Sequence, residues 1–395
     1  MIQLSCTRTS AIVATYVYGK RLWCTALGSS NLRKGESMEI FSQQIQSHTN
    51  RRLAVIDTKF PWKLSGFRYW ENFNIFEQRP DTLFFATEPN DDYFPSKVYP
   101  FSDFMKVAVS EGVTDVYCVF LNLTLSLLGH GFLPDGSYLP GANPNLNIKP
   151  FLDDRNINLH ATLYPGGGLD PWTKKEFLSI AGQHCSTVFT NINEVMESIV
   201  GSIYYPVVIN TDLYTFKQKK VEMPIQLTFC AFNAIRKGFP IMADAFNRLT
   251  DDFHLNLIGD WEDQLLLLKN KNYTFYGLLS PEELKSVYER THIFLNCSVP
   301  DRFALDGFPT TAAVDAISTG CVLVTTNPRN DRFILEEGKD YFEVEPNGYA
   351  ISERLFWIQD HFEEALIVGK NGSNKIKSKF NASQIVKSKL ANIFK

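Results

Sequence analysis

Asp306 to Thr326 gathers side chains able to do chemistry into one short span. Asp306-Gly307-Phe308 reads as an acidic turn. Pro309 to Thr319 reads as a helix of small residues, with proline near its start and Gly320 where a left-handed residue ends a helix. Cys321 to Thr325 is apolar and rich in β-branched residues, the pattern of a buried parallel strand. A loop, a helix N-terminus and two carboxylates thus share a small volume. Free N–H groups at a helix start attract phosphate, and Thr310 and Thr311 add hydroxyls there. Asp315 follows Thr311 by about one helical turn and shares its face. Carboxylates repel phosphate but accept hydrogen bonds from sugar hydroxyls. The arrangement suits a ligand with both a diphosphate and sugars; the plain alternative is a buried helix with two incidental aspartates.

A departing diphosphate needs neutralising charge. An Asp-x-Asp turn would supply it through a metal, but none stands in a suitable context, so no metal site and no cofactor are expected. Arg236-Lys237-Gly238, just after an apolar strand, offers cations instead. Ser298, beyond the strand His292–Asn296, can donate to phosphate or sugar, or cap the strand end. In Pro165-Gly-Gly-Gly168 the glycines permit close backbone approach to a ligand, which makes Gly166 and Gly167 cleft candidates; the alternative is a tight flexible turn. His160 is a third cleft candidate, although for His130 and His160 alike a satisfied structural histidine is the expectation. The aromatic run Phe60–Trp70, with Arg68, is either an acceptor surface or core.

These residues need elements to hold them. Apolar runs at Leu53–Asp57, Thr82–Ala86, Val116–Leu121, Ile157–Tyr164, Thr187–Thr190 and Pro206–Asn210 predict strands, with helical stretches between them. Asn191 or Asn193 can cap the helix after the fifth. The polar stretch Leu213–Pro224, with Lys217, Lys219 and Lys220, reads as a linker. A second alternation follows: strands at Leu227–Phe232, Leu255–Gly259, Tyr273–Tyr276, His292–Asn296 and Cys321–Thr325, a helical stripe of Met242, Ala245, Phe246 and Leu249, and a capping box at Ser280-Pro-Glu-Glu283. This is α/β: two tandem Rossmann-like, doubly wound domains. In such sheets ligands sit beyond the C-terminal ends of the strands, the rim to which Asp306 belongs. Residues 1–215 are expected to form the first, acceptor-side domain, 222–375 the second, nucleotide-sugar domain, and 376–395 a basic C-terminal helix. Residues 1–50 offer one strand near Ala11–Val17 and otherwise read as irregular.

Composition sets limits. Of 395 residues, 44% are hydrophobic and 21% charged, which suits two or three globular domains. The net charge of -4 gives no reason to propose nucleic acid as a partner. Seven scattered cysteines without metal spacing point to a reduced, cytoplasmic setting. No apolar run reaches membrane-spanning length, and Ala11–Val17 is too short and interrupted for a secretory signal.

The stretch around Asp306 resembles the donor-site signature of retaining glycosyltransferases of family 4, which have the GT-B fold with a cleft between two domains. The resemblance covers roughly residues 185–345, where Phe189-Thr-Asn191 and Asn210-Thr-Asp-Leu-Tyr214 look like the end of the family's first domain. It implies that Asp306 contacts the transferred sugar, Asp315 the ribose and Lys237 the diphosphate. It also implies that the loop from Tyr276 through Leu278 contacts the base, mainly through backbone. Gly307, Phe308 and Pro309 complete the turn. The chain departs from the pattern in three ways. Both acids are Asp instead of Glu, and their spacing is one residue longer, so either the turn bulges or the first role moves to a neighbour. The usual Gly-Arg pair is replaced by Phe232-Asn233, with Arg236 or Arg302 as substitutes.

The implied function is transfer of a sugar from a nucleotide diphosphate sugar to a glycan or lipid-linked acceptor, as in polysaccharide or glycoconjugate biosynthesis, retaining and metal-independent. No enzymic nucleophile is assigned. A sugar-nucleotide epimerase or hydrolase of the same fold, or an inactive glycan- or nucleotide-sugar-binding protein, is the rival reading. The lysine-rich tail, with Ile385, Val386, Leu390, Ile393 and Phe394, either rests on an anionic membrane or turns back across the first domain; the second is expected.

Overall fold

The computed structural model describes residues 12–18, 21–27, 51–170, 172–300 and 306–395. Strands β1 (Ile12–Tyr18) and β2 (Arg21–Leu27) pair antiparallel as a hairpin. The second of these is not evident from the sequence pattern, and the rest of residues 1–50 lies outside the described part.

A seven-stranded sheet follows. It contains β3 (Leu53–Phe60), β4 (Leu83–Pro89), β5 (Val98–Pro100), β6 (Asp115–Val119), β7 (Asn158–Leu163), β8 (Thr187–Thr190) and β9 (Ile203–Tyr204). The order is β5-β4-β3-β6-β7-β8-β9, parallel throughout. A second sheet contains β10 (Ile225–Cys230), β11 (Phe253–Ile258), β12 (Tyr273–Gly277), β13 (Ile293–Asn296), β14 (Val322–Thr325) and β15 (Phe342–Glu343), in the order β12-β11-β10-β13-β14-β15, also parallel. Five of the six were expected; the short β15 was not. Both sheets reverse direction of winding once, between β3 and β6 and between β10 and β13. Loops diverge at such switch points and leave a crevice beyond the strand ends.

Several expectations are corrected. The strand expected over Val116–Leu121 ends at Val119, and Leu121–Leu127 is a helix. Every residue of that helix but Asn122 is buried, so no amphipathic period marks it, and a short apolar run reads equally as strand. The helix after the aromatic run starts already at Phe67. Pro206–Asn210 is not a strand; the edge is β9, and Ile209 makes only an isolated bridge to Asn381. Neither Asn191 nor Asn193 caps the next helix: Ile192 occupies the cap position and Asn193 is the first helical residue. The linker is not a solvated tether throughout. Lys219 is buried and donates to the carbonyls of Tyr288 and Glu289 at 2.6 and 3.0 Å. These are the last carbonyls of the helix Pro281–Arg290, a natural seat for a cation. At the other end of that helix the capping box is formed as expected.

The chain ends in two helices, Phe362–Lys379 and Ala382–Ile393. Ile385, Val386, Leu390, Ile393 and Phe394 are buried with Tyr69, Ile75 and Phe189 of the first domain. The apolar face of the last helix is therefore occupied and not free for a membrane surface. No helix among the described residues is long and apolar enough to cross a membrane. Lys389 is buried on the same face. Its ammonium donates to Glu71 Oε1 at 2.7 Å, Thr162 Oγ1 at 3.1 Å, Tyr164 Oη at 3.1 Å and Tyr117 Oη at 3.3 Å. Burial depresses the lysine pKa, and Glu71 opposes that shift.

Removing one partner of such a pair strands a buried charge, which costs about 3–5 kcal/mol. Lys389→Ala should lower stability on that scale in urea unfolding. The double change Lys389→Met with Glu71→Leu should recover most of the loss.

Candidate active site

The two switch points face one cavity of about 540 Å³. Its second-domain wall is built from three segments. After β10 comes a single 3₁₀ turn, Ile235–Lys237, ended by Gly238 at φ 67°. A Cβ on Gly238 would lie 2.0 Å from the Cys297 carbonyl, so only glycine lets this turn approach the end of β13. That approach puts Arg236 and Lys237 beside the residues after β13. The third segment is the turn from Asp306 into the helix Thr311–Ser318.

Asp306 is the hub. It is 8% exposed. Oδ1 accepts from Arg236 Nε at 2.9 Å; Oδ2 accepts from Lys237 Nζ at 2.8 Å and Ser298 Oγ at 2.6 Å. Burial alone would raise its pKa, but Lys237, Ser298 and Arg236 outweigh that and hold the carboxyl below the ordinary carboxylate range. Behind it, Asn296 Oδ1 accepts from Thr310 Oγ1 at 3.2 Å and lies 3.2 Å from Ser298 Oγ, and Asn296 donates to Thr325 Oγ1 at 2.8 Å. Thr310 in turn caps the helix by accepting from the Ala313 N–H. The helix starts two residues later than the sequence suggests, so Pro309 lies outside it, while Gly320 takes positive φ as expected. Thr311, Ala312 and Asp315 line the cavity. Asp315 has no counter-ion among the described residues, and burial pushes its carboxyl well above the ordinary range.

The walls meet at the rim. A Cβ on Gly307 would stand 3.2 Å from Pro165 Cγ and 3.6 Å from Asn191 Nδ2, and one on Gly66 would stand 3.7 Å from Thr311 Cγ2. Arg329 pairs with Glu194 across the same seam at 2.5 Å.

A model of the family described as Glycosyl transferases group 1 matches residues 224–356. The second domain is a glycosyl transferases group 1 domain. No curated protein matches the chain by sequence. Solved structures do. Anabaena Alr3699/HepE, in complex with UDP and glucose, is similar at TM-score 0.66 and 12% identity, over 87% of this chain and 99% of that one. Sucrose-phosphate synthase (tll1590) from Thermosynechococcus elongatus is similar at TM-score 0.64 and 12% identity, over 87% and 98%. A glycosyltransferase from Rickettsia africae ESF-5 is similar at TM-score 0.63 and 13% identity, over 87% and 98%. At such identity the likeness establishes the fold, which is GT-B. A group 1 domain on this fold is the make-up of a glycosyltransferase.

Of the residues singled out by sequence, Asp306, Lys237, Arg236, Gly307, Pro309, Thr310, Thr311, Asp315, Leu278 and Gly166 line the cavity of this group 1 domain and its partner. Five stand elsewhere. Ser298 lies behind Asp306. Phe308 packs on Tyr341, ring centroids 5.2 Å apart. The Tyr276 hydroxyl donates to Asn256 Oδ1 at 3.2 Å. Gly167 lies behind the Phe120 ring. His160 is buried 3.1 Å from Asp115, the first residue of β6, at the end of the sheet away from the cavity. Arg302 lies outside the described residues. Trp62, Phe67, Arg68 and Trp70, from the aromatic run read as acceptor surface or core, also line the cavity. Phe120, Tyr164, Asn191 and Tyr214 line it too, without a site role read from sequence, and nothing in the sequence marks Phe120.

The two acids should behave oppositely in stability measurements. The depressed Asp306 stabilises the fold above the carboxylate range and ceases to as pH falls through its folded pKa. The advantage of wild type over Asp306→Asn in denaturant unfolding should thus be full near neutrality and shrink below about pH 4. Asp315 is raised, so its ionisation costs stability as pH rises. Asp315→Asn should increase the melting temperature near neutral pH, by an amount that fades on acidification.

Proposed function

We propose that the chain transfers a sugar from a nucleotide diphosphate sugar to an acceptor hydroxyl, without a bound metal and with retention at the anomeric carbon. The observation that carries this reading is the pairing of two cations, Arg236 and Lys237, with one buried carboxylate at the mouth of a helix N-terminus. Two positive charges against one negative leave an excess suited to a diphosphate, and the start of Thr311–Ser318 adds N–H donors. Asp306, anchored by three donors, accepts from a hydroxyl of the transferred sugar. Asp315 meets the ribose. Leu278 and Leu279 give the base an apolar seat. UDP, which the HepE structure holds, is the first nucleotide to try.

In the reaction the bond from the anomeric carbon to the diphosphate oxygen breaks and the bond to the acceptor oxygen forms. The acceptor proton must go to a base. Inversion needs one on the face opposite the leaving group, which is the first-domain wall. Among the described residues of that wall no Asp, Glu or His lines the cavity. Proton transfer to the departing diphosphate, on the same face, fits this lining and supports retention. Lys237 and Arg236 then stabilise the charge that develops on the diphosphate.

Lys237→Ala should lower nucleoside diphosphate release about 10²–10³-fold, since the stabilisation it removes is largest in the transition state, and should also lower the melting temperature, since Asp306 then keeps only Arg236 and Ser298. Unchanged turnover would reject the role. Activity lost on dialysis against EDTA and restored by Mg²⁺ or Mn²⁺ would reject the metal-free reading. Anomeric configuration of the product by NMR decides retention. Rearrangement of the nucleotide sugar without acceptor would favour an epimerase.

A further inference from the structure

Phe120 is the point in the first domain where the backbone is least at ease. It sits just after β6, at φ 83° and ψ 146°, a conformation that a bulky L-residue rarely adopts. The structure around it holds it there. Its N–H donates to the Thr162 carbonyl at 2.8 Å, and its own carbonyl accepts from the Thr124 N–H at 3.0 Å and hydroxyl at 2.7 Å. Strain of this kind is kept where a side chain must point somewhere specific. Phe120 lines the cavity.

It is also fixed from behind and beside. Gly167, at φ 55°, backs the ring: a Cβ there would fall 2.3–2.6 Å from Phe120 Cγ, Cβ and Cδ1. The Arg68 guanidinium lies 5.4 Å from the ring centroid, and Phe67 meets the ring edge-on at 6.0 Å. Tyr164 stands 5.3 Å from Phe67. Phe67, Arg68, Phe120 and Tyr164 all line the cavity, at the β3–β6 switch point of the first sheet. Arg68 is buried and paired with Asp57 at 2.5 Å, with a second bond to Thr58 Oγ1 at 2.7 Å. Its charge is therefore spent. Lys63 lines the cavity as well, with its ammonium over the Tyr69 and Tyr93 rings, 6.0 Å from each, and neither of those rings lines the cavity.

We infer that Phe120, flanked by Arg68 and Tyr164, is the acceptor platform, and that the acceptor it takes is an uncharged saccharide. Aromatic faces bind the C–H face of a sugar ring, while a tyrosine hydroxyl and guanidinium N–H groups meet its hydroxyls. A phosphate-bearing lipid would ask for unspent positive charge on this wall, and the charges here are neutralised or turned away. The inference rests on the transferase reading for its purpose, but the saccharide site can be tested without turnover.

The test is saturation-transfer NMR with glucose, galactose, mannose, N-acetylglucosamine and cellobiose, each with and without saturating UDP. Phe120→Gly is the decisive variant: glycine tolerates φ 83°, so the backbone constraint is relieved while the ring is lost. At least one saccharide should give signal with wild type and with Phe120→Tyr, and lose it at least tenfold with Phe120→Gly. The variant should still unfold cooperatively and keep its UDP affinity by calorimetry. No saccharide signal in wild type, or equal signal in Phe120→Gly, overturns the inference. So does binding only to vesicles that contain a polyprenyl phosphate. Failure of UDP to bind wild type would instead count against the transferase reading, and the saccharide result would still stand or fall by the ring.

Discussion

One buried carboxylate organises the second domain's rim. Asp306 accepts from Arg236, Lys237 and Ser298, and through them ties the turn after β10 to the loop after β13. A carboxylate this far from water is costly unless its charge is answered, and two cations with a hydroxyl answer it. The same arrangement keeps both cations extended towards the cavity before any ligand arrives. On the proposed reading, a diphosphate would find that charge already in place. Asn296 and Thr310 carry the network on to the cap of the following helix, so strand end, cations and helix N-terminus are joined by hydrogen bonds.

The first domain is held to the second by contacts of a different kind. At the rim the approach is close: a Cβ on Gly307 would crowd Pro165 at 3.2 Å, and one on Gly66 would touch Thr311 at 3.7 Å. At the back it is the last helix, whose apolar face joins the first domain's core and whose Lys389 enters a pocket of Glu71, Tyr117, Thr162 and Tyr164. Tyr164 belongs both to that network and to the cavity lining, so the C-terminus is connected to the first-domain wall of the cavity. A cation buried among tyrosines and one carboxylate orients its partners more than it stabilises the fold, because desolvation offsets much of its attraction.

The two acids show how environment divides one residue type into two roles. Asp306 has counter-charges and stays ionised; Asp315 has none among the described residues and is pushed towards its neutral form. Both are aspartates, one turn and a helix start apart. Their difference comes from what the first turn after β10 brings alongside, which depends on Gly238 and the Cys297 carbonyl.

The local pattern carried most of the second domain. Buried parallel strands are continuous apolar runs, a capping box is a four-residue signature, and Asp306, Lys237 and the helix start are close to features that sequence marks plainly. Where all sides of a segment are buried the pattern has no period to read, so Leu121–Leu127 looked like a strand. Side-chain direction was also beyond it: Phe308, Tyr276 and His160 sit on elements near the cleft yet point into packing or into the far end of a sheet. Composition and spacing thus determined two doubly wound domains and a rim that carries Asp306 and a helix start, because those depend on residues close in sequence. Which aromatic residues line the cavity, Phe120 among them, and that Lys219 and Lys389 are buried were decided only by tertiary structure, because each depends on groups dozens to hundreds of residues away that no local signal names.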